Sequence, residues 1–462
     1  MKVDENGPRK SVKKTAVLIA IANIFAGFAN LLTNSYTAYS WTDLNGLDHK
    51  LYASSMTICG FLLTVVACVS GVIITKTRTK WGQAIPWLVV LPPVCMIGGL
   101  LTFSGWGNTT VEKVIILCVA YMLAMGTTDL ITAARTTLYG KMAGDNYQAR
   151  TTYVSAHWLG SNVSALVAGA VTLTLVGWFG KNNQQKGFMI TELIFTVLVL
   201  LGYVILIAAG RKSDIPQNWE KPEKEAAEKI RVSEMLKGIV TNRCICTCIL
   251  SDVSRFTGYF AMQALMVYQC TYVFDDINAM TLVLTISGFS CIVGNYLAPY
   301  VVEKIGGRKK NMEMFGWLTG LSSLAIGVIG KSPVGFTICL SLAFFFMSFI
   351  DSVDYAMYLD AGEWHLNKTG KDIRAFFVSM YGLSVKFSQA VSAMVIGGVL
   401  GAISYHSGMV LNDAGRTKLS WLTALTMAIG YGVLPTVIMR FHPISDQEME
   451  QIAIENEKRR KS

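Results

Sequence analysis

The chain has 462 residues, 52% of them hydrophobic and 15% charged, with a formal net charge of +10. A soluble protein usually carries about 25% charged residues, and burial grows too slowly with size for one soluble core to hide so much apolar surface. Disorder, collagen, a coiled coil and a secreted disulfide scaffold are excluded, which leaves a polytopic membrane protein.

Apolar runs of about 20 residues, long enough to span roughly 30 Å of hydrocarbon, begin near Thr15, Tyr52, Ala84, Val114, Thr152 and Phe188. After a polar stretch, six more begin near Cys244, Met280, Met312, Val334, Ala375 and Ser420. The expected fold is all-α and integral to the membrane, with twelve transmembrane helices in two six-helix bundles. Residues 1–210 form the first bundle, 211–243 a linker, and 244–462 the second bundle with a tail. Within the linker, Lys221 to Lys237 can form a surface helix, and Asp446 to Lys461 a short terminal one.

The first apolar run follows basic Arg9 to Lys14 and lacks a small-residue cleavage site, so no cleaved leader is expected. Of the 40 basic residues, only Lys50, Lys113, Lys181, Lys186, Lys331, Arg416 and Lys418 fall in odd-numbered loops. The positive-inside rule then places both termini in the cytoplasm of a cell with the chain in its inner membrane. The same sorting accounts for the net charge without nucleic acid. Most of the ten cysteines sit inside apolar runs and read as small buried hydrophobes. Cys244, Cys246 and Cys248 point in different directions on a helix, and no nearby His completes a zinc set.

Three stretches carry a resemblance. Gly71 to Trp87 reads GVIITKTRTKWGQAIPW, Asp145 to Arg150 reads DNYQAR, and Asp360 to Arg374 reads DAGEWHLNKTGKDIR, followed by Lys386. In order and position they resemble the loops after spans 2, 4 and 10 of the glycoside-pentoside-hexuronide:cation symporters, the melibiose permease-like members of the major facilitator superfamily. The resemblance implies that two six-helix halves enclose a midplane substrate site. It implies a glycoside or sugar acid as partner alongside the lipid bilayer, H+ or Na+ as coupling ion, no cofactor, and a monomer. Leu63 and Ala67 stand at the family's cation-binding aspartate positions of span 2. Gly27 and Thr132 stand at its sugar-binding aspartate positions, with Asp129 one turn before Thr132.

Spans 1, 4, 7 and 10 line the cavity in this architecture, and each carries a polar stripe at helical spacing. Asn23, Asn30 and Asn34 give an amide face on span 1. Tyr121, Asp129, Thr132 and Arg135 lie on span 4, Asp252, Arg255, Tyr259 and Gln263 on span 7, and Asp351, Asp354, Tyr355 and Tyr358 on span 10. Amides and carboxylates suit sugar hydroxyls, aromatic faces suit the C–H surface of the ring, and a guanidinium suits a carboxylate. Substrate binding is therefore expected at these stripes' Asn, Thr, Tyr and Gln residues, at Asp129 and Arg135, at Trp158 on span 5, and at Lys386 on span 11.

Coupling is expected at Asp351, Asp354 and His157, since ionisable groups inside a membrane are costly and mark functional pathways. Arg78, Arg150, Asp360, Glu363 and Arg374 are expected to gate. Asp252 and Arg255, three apart, can also simply neutralise one another. Gly160, Ala165 and Gly169 on span 5 and Gly397, Gly398 and Gly401 on span 11 are expected to allow close helix approach. No metal or catalytic set is expected: the five histidines are dispersed, and no G-x-x-x-x-G-K-[ST] occurs to suggest ATP-driven pumping. The expected function is import of a glycoside, sugar or hexuronide by cation symport. An uncoupled facilitator, an efflux transporter and a transporter-like sensor are the alternatives.

Overall fold

A computed structural model describes residues 6–143, 147–181, 183–214, 241–370, 374–449, 451–452 and 455. The expected linker helix from Lys221 to Lys237, the tail beyond Glu455, and Asp145 and Asn146 lie outside the described residues, as do the side chains of Asn30, Arg150, Tyr355 and Arg374.

The described residues form helices at all twelve expected spans. The first half contains α1, in two parts (Asn6–Ala26 and Phe28–Tyr39), α2 (His49–Lys76), α3 (Ile85–Thr102), α4 (Thr110–Ala143), α5 (Tyr147–Gly180) and α6 (Gln184–Gly210). The second contains α7 (Arg243–Tyr268), α8 (Ala279–Ile305), α9 (Arg308–Ile329), α10 (Pro333–Thr369), α11 (Arg374–Ala402) and α12. This last helix is itself in two parts, Asp413–Met427 and Leu434–Arg440, joined through a π-helical turn at Ala428–Val433.

Short polar side chains start many of these helices by accepting amide hydrogens that have no partner within the helix, each worth about 1 kcal/mol. Asp48 accepts from Lys50 N at 2.8 Å, Asn183 from Lys186 N at 3.0 Å, and Asn242 from Cys244 N at 2.9 Å. Ser332 and Asn412 do the same for α10 and α12. Helices α8 and α10 end on Gly306 and Gly370, both in the left-handed conformation that glycine adopts without steric cost.

Among the described residues, ten helices are long and apolar enough to cross a membrane. The other two spans, α1 and α7, are the ones whose polar stripes lower their hydropathy: α1 starts among basic residues and is interrupted at Gly27, and α7 carries Asp252 and Arg255 mid-helix. Large apolar side chains such as Val65, Trp178, Val204 and Leu321 are exposed along the helices, as lipid-facing positions require. The chain is a multi-pass membrane protein.

By its internal contacts the chain divides into two units, residues 1–222 with 406–408, and 223–405 with 409–462. Helix neighbours within the first unit repeat in the second. Helix α1 packs on α5 and α6 as α7 packs on α11 and α12; α4 packs on α2 and α3 as α10 packs on α8 and α9; α3 meets α6 as α9 meets α12. Aromatic pairs brace each unit, with Phe28 4.9 Å from Phe195 and Tyr36 5.3 Å from Phe188 in one, and Phe315 4.3 Å from Phe349 in the other. Such pairs add about 0.5–1.5 kcal/mol each beyond the area they bury.

Of the positions expected to allow close helix approach, Gly160 on α5 does so and Gly398 on α11 does not. A Cβ on Gly160 would stand 2.3 Å from Ala20 O, and one on Gly27 would stand 2.7 Å from Ser164 Cβ, so α1 and α5 approach backbone to backbone. A Cβ on Gly398 would meet nothing within 4 Å, so that position is open.

Candidate functional site

Among the described residues, a dense polar cluster lies in the second unit, where α7, α10 and α12 meet. Gly258 on α7 abuts Gly430 on α12: a Cβ on Gly430 would stand 2.7 Å from Gly258 Cα. Two facing glycines let the π-helical turn of α12 press against α7, and Ser254 Oγ donates to Gly430 O at 2.8 Å across the crossing. This carries Tyr431, the next residue, into the cluster.

Arg255 is its centre and is 1% exposed. Its Nη2 is 3.1 Å from Asp252 Oδ1, one turn back on the same helix, and pairs with Asp354; its Nη1 is 3.4 Å from Asp351 Oδ1. Tyr431 donates to Asp351 Oδ1 at 2.5 Å, and Tyr358 donates to Asp252 Oδ2 at 2.7 Å. Ser384 of α11 lies 3.3 Å from the Tyr358 hydroxyl. The guanidinium also stands over the rings of Phe256 and Tyr431, at 5.2 and 5.3 Å. Asp252 and Asp354 are buried, whereas the Asp351 side chain is 39% exposed. Three acids surround one guanidinium, so the set has acidic capacity beyond its own base.

Asp252 and Arg255 do pair, as their spacing suggests, but within this larger set. Above them on α7, Gln263 Nε2 donates to Tyr259 Oη at 2.7 Å. Lys386 is half-buried on α11, and Arg255 is in ion-pair contact with both Asp351 and Asp354.

The first unit holds a neutral set. Asn23, 2% exposed, donates to Tyr139 Oη at 2.9 Å and to Ile19 O at 2.7 Å, and its Oδ1 is 2.6 Å from His157 Nδ1. One amide thus ties α1 to α4 and α5. His157 stacks obliquely against Trp158, which is 57% exposed. Arg135 reaches Thr132 Oγ1 at 3.5 Å, and its buried Nε has no hydrogen-bond partner. Asn34, Tyr121 and Asp129 are half-buried on α1 and α4.

The expected gating residues are scattered. Asp360 receives Arg308 Nη1 at 2.5 Å, Glu363 is half-buried on the same helix, and Arg78 is exposed between α2 and α3. Arg150 and Arg374 stand at the starts of α5 and α11.

Several residues were not singled out from the sequence. Tyr431 is one, although its setting in Gly430-Tyr431-Gly432, a polar residue between two glycines inside an apolar span, was a usable signal. Arg308, Asp214 and Asp446 are others. Glu192 on α6 is 2% exposed between Phe188 and Phe195, with Oε2 unpartnered and Gly99 making room for its carboxyl. A single glutamate in a strongly apolar run gave no periodicity to follow.

The profile of the family described as MFS/sugar transport protein matches residues 18–446. The chain is 23% identical over 431 residues to the uncharacterized symporter YjmB of Bacillus subtilis, covering 92% of this chain and 91% of that one. It is 22% identical to the putative glycoside/cation symporter YagG of Escherichia coli, over 95% and 94% of the two chains, and 21% identical to the glucuronide carrier protein homolog of Escherichia coli, over 97% and 96%. In fold it is similar to the inward-open xylose transporter XylE of Escherichia coli, with a TM-score of 0.66 at 11% identity over 96% and 99% of the chains. The nucleoside transporter NupG gives a TM-score of 0.62 at 13% identity over 94% and 99%. The chain belongs to the MFS/sugar transport protein family, as a member of the glycoside-pentoside-hexuronide:cation symporter type.

Proposed function

We propose that the protein is a secondary active transporter that imports a glycoside, sugar or hexuronide by cation symport with alternating access. The observation that carries this reading is the Arg255 cluster. A carrier needs an ionisable group that is shielded from lipid yet open to loading, and Asp351 is the acid of this set with substantial exposure while Asp354 and Asp252 are buried behind it. Protonation or Na+ at Asp351 and Asp354 would offset the acids that one guanidinium leaves uncompensated. The neutral set of Asn23, Tyr139 and His157, with Thr132 and Arg135 nearby on α4, supplies the amide, hydroxyl and guanidinium chemistry that sugar hydroxyls and a sugar carboxylate require. The names of the relatives, which include a glycoside/cation symporter and a glucuronide carrier homolog, support this substrate class.

In this reading the protein works as a monomer in the inner membrane with both termini cytoplasmic, and it transports its substrate without altering it chemically. Asn30, Asn34, Tyr121, Asp129, Trp158, Tyr259, Gln263, Tyr355, Tyr358 and Lys386 contribute to substrate binding. His157 assists coupling, and Arg78, Arg150, Asp360, Glu363 and Arg374 gate.

Purified protein in proteoliposomes tests the proposal. Labelled glycoside or uronide should exchange by counterflow and accumulate under an imposed H+ or Na+ gradient. No exchange of any sugar or uronide would sink it. Uncoupled facilitation is a second reading, favoured by Leu63: it is 1% exposed and sits 3.1 Å from where a Cβ on Gly126 would be, an apolar seam at a position where the family places a cation-binding acid. Counterflow without gradient-driven accumulation would select it.

A further inference from the structure

In both units, the chain leaving the sixth helix returns an aspartate to the first turn of the third. In the first unit this is Asp214, which is 1% exposed and lies just beyond the end of α6. Its Oδ1 accepts from Gln83 N at 3.0 Å, and its Oδ2 accepts from Ala84 N at 2.7 Å and Ile85 N at 2.9 Å. Lys141, at the end of α4, completes the set with Nζ 2.8 Å from Oδ1. In the second unit Asp446, just beyond α12, accepts from Arg308 N at 2.8 Å and Lys309 N at 3.1 Å with its Oδ1. Lys309 Nζ secures the same turn by donating to His442 O at 2.9 Å.

Both sites require glycine one residue before the capped amides. A Cβ on Gly82 would stand 2.2 Å from Asp214 O, and φ there is +110°; a Cβ on Gly307 would stand 2.1 Å from Asp446 Oδ2. Each acid is preceded by serine, Ser213 or Ser445. The fourth helix of each unit contributes a charge, but with inverted sign: Lys141 on α4 pairs with the clasping acid itself, whereas Asp360 on α10 pairs with Arg308 of the clasped turn.

We propose that Asp214 and Asp446 are positioning residues for transport. Each clasps the turn before the third helix of its own unit and so fixes the arginine carried there, Arg78 in one and Arg308 in the other. This rests on the transporter reading above, in which Arg78 and Asp360, the ion-pair partner of Arg308, gate. The clasp in the first unit is strong. Burial alone would raise the Asp214 pKa, but Lys141 and three backbone amides outweigh it and hold the carboxyl below the usual aspartate value. Its contribution is therefore complete above the unfolded-state pKa and is lost as pH falls through the lowered folded value. The turn itself is compact: Thr79 and Gly82 exchange backbone hydrogen bonds, and Trp87 Nε1 donates to Thr77 Oγ1 at 2.9 Å.

The test pairs hydrogen exchange with uptake, using full-length protein. Asp214→Ala should speed exchange of the Gln83, Ala84 and Ile85 amides, and Asp446→Ala that of Arg308 and Lys309. Each should lower the maximal uptake rate about tenfold with KM little changed, the pattern of a slowed conformational step rather than lost substrate contact. Gly82→Ala attacks the first clasp from the other side and should reproduce the Asp214→Ala phenotype without adding to it. Unchanged exchange in the alanine variants overturns the clasps whether or not the wild-type chain proves to carry a sugar. Faster exchange with wild-type uptake, or a raised KM at unchanged maximal rate, overturns their positioning role. A wild type that transports no sugar, by contrast, counts against the functional reading and leaves the exchange result to decide the clasps.

Discussion

The Tyr431 hydroxyl lies 2.5 Å from Asp351 Oδ1 and 3.5 Å from Arg255 Nη1, so one group on α12 joins an acid on α10 to a base on α7. Asp351 is the exposed member of the cluster, and Tyr431 is what holds it toward the guanidinium. Tyr431→Phe keeps the ring over Arg255 and removes only this tether. It is expected to shift the pH dependence of uptake while leaving counterflow near wild type; an unchanged pH profile would detach Tyr431 from coupling.

Neutralising either Asp351 or Asp354 to Asn is expected to abolish accumulation driven by a pH gradient and to spare counterflow, which needs no net cation movement. Uptake of labelled substrate into proteoliposomes with an imposed gradient reads the difference. Wild-type accumulation in both variants would take the two acids out of the mechanism.

Arg255 should be needed for folding as well as transport. Removing it leaves Asp252 and Asp354 buried without their base, and breaking a buried pair costs about 3–5 kcal/mol. Arg255→Met is therefore expected to lower the thermal unfolding temperature in detergent. Arg255→Lys should fall between, because one ammonium cannot match the several directions in which a guanidinium donates. If Arg255→Met unfolds with the wild type, the cluster contributes little to stability.

Lys386→Met is expected to stop transport while the protein still reaches the membrane, because an ammonium within a span is retained only where it has work to do. Membrane quantity by immunoblot and uptake in the same cells separate the two effects. Robust uptake would make Lys386 a packing residue.

An acid-bearing glycoside is expected to be preferred over a neutral one. Gly27 and Thr132 put no carboxylate where the family has aspartates, and Arg135, one turn beyond Thr132, has a buried Nε free of hydrogen bonds. Competition of labelled uptake by matched glucosides and glucuronides decides this: a glucoside that competes as well as its uronide contradicts it, and Arg135→Gln should narrow any difference.

The spans were legible because apolar length is a one-dimensional signal, and even α1 and α7, whose polar stripes make them less apolar than the rest, show as apolar runs beginning near Thr15 and Cys244. The stripes on α7 and α10 were legible too, since helical spacing alone places Asp252 with Arg255 and Asp351 with Asp354. Which stripes meet was not. That Arg255 faces Asp351 and Asp354 depends on how α7 and α10 are rotated about their axes, and Tyr431 enters only because two glycines allow a close crossing. Asp214 and Asp446 escaped notice for a related reason: their partners are backbone amides 129 to 138 residues away in sequence, and an amide leaves no mark in the composition.

The matching of helix neighbours between the two units has a consequence for how such a chain can diversify. The frame is duplicated, yet its contents are not: one copy was furnished with amides and hydroxyls around Asn23, the other with fixed charges around Arg255. Because the hydrogen bonds around Asn23 and the ion pairs around Arg255 each run between helices of one copy, substitutions that retune one need not disturb the other. A lineage can therefore change what it carries and what drives it along separate mutational routes.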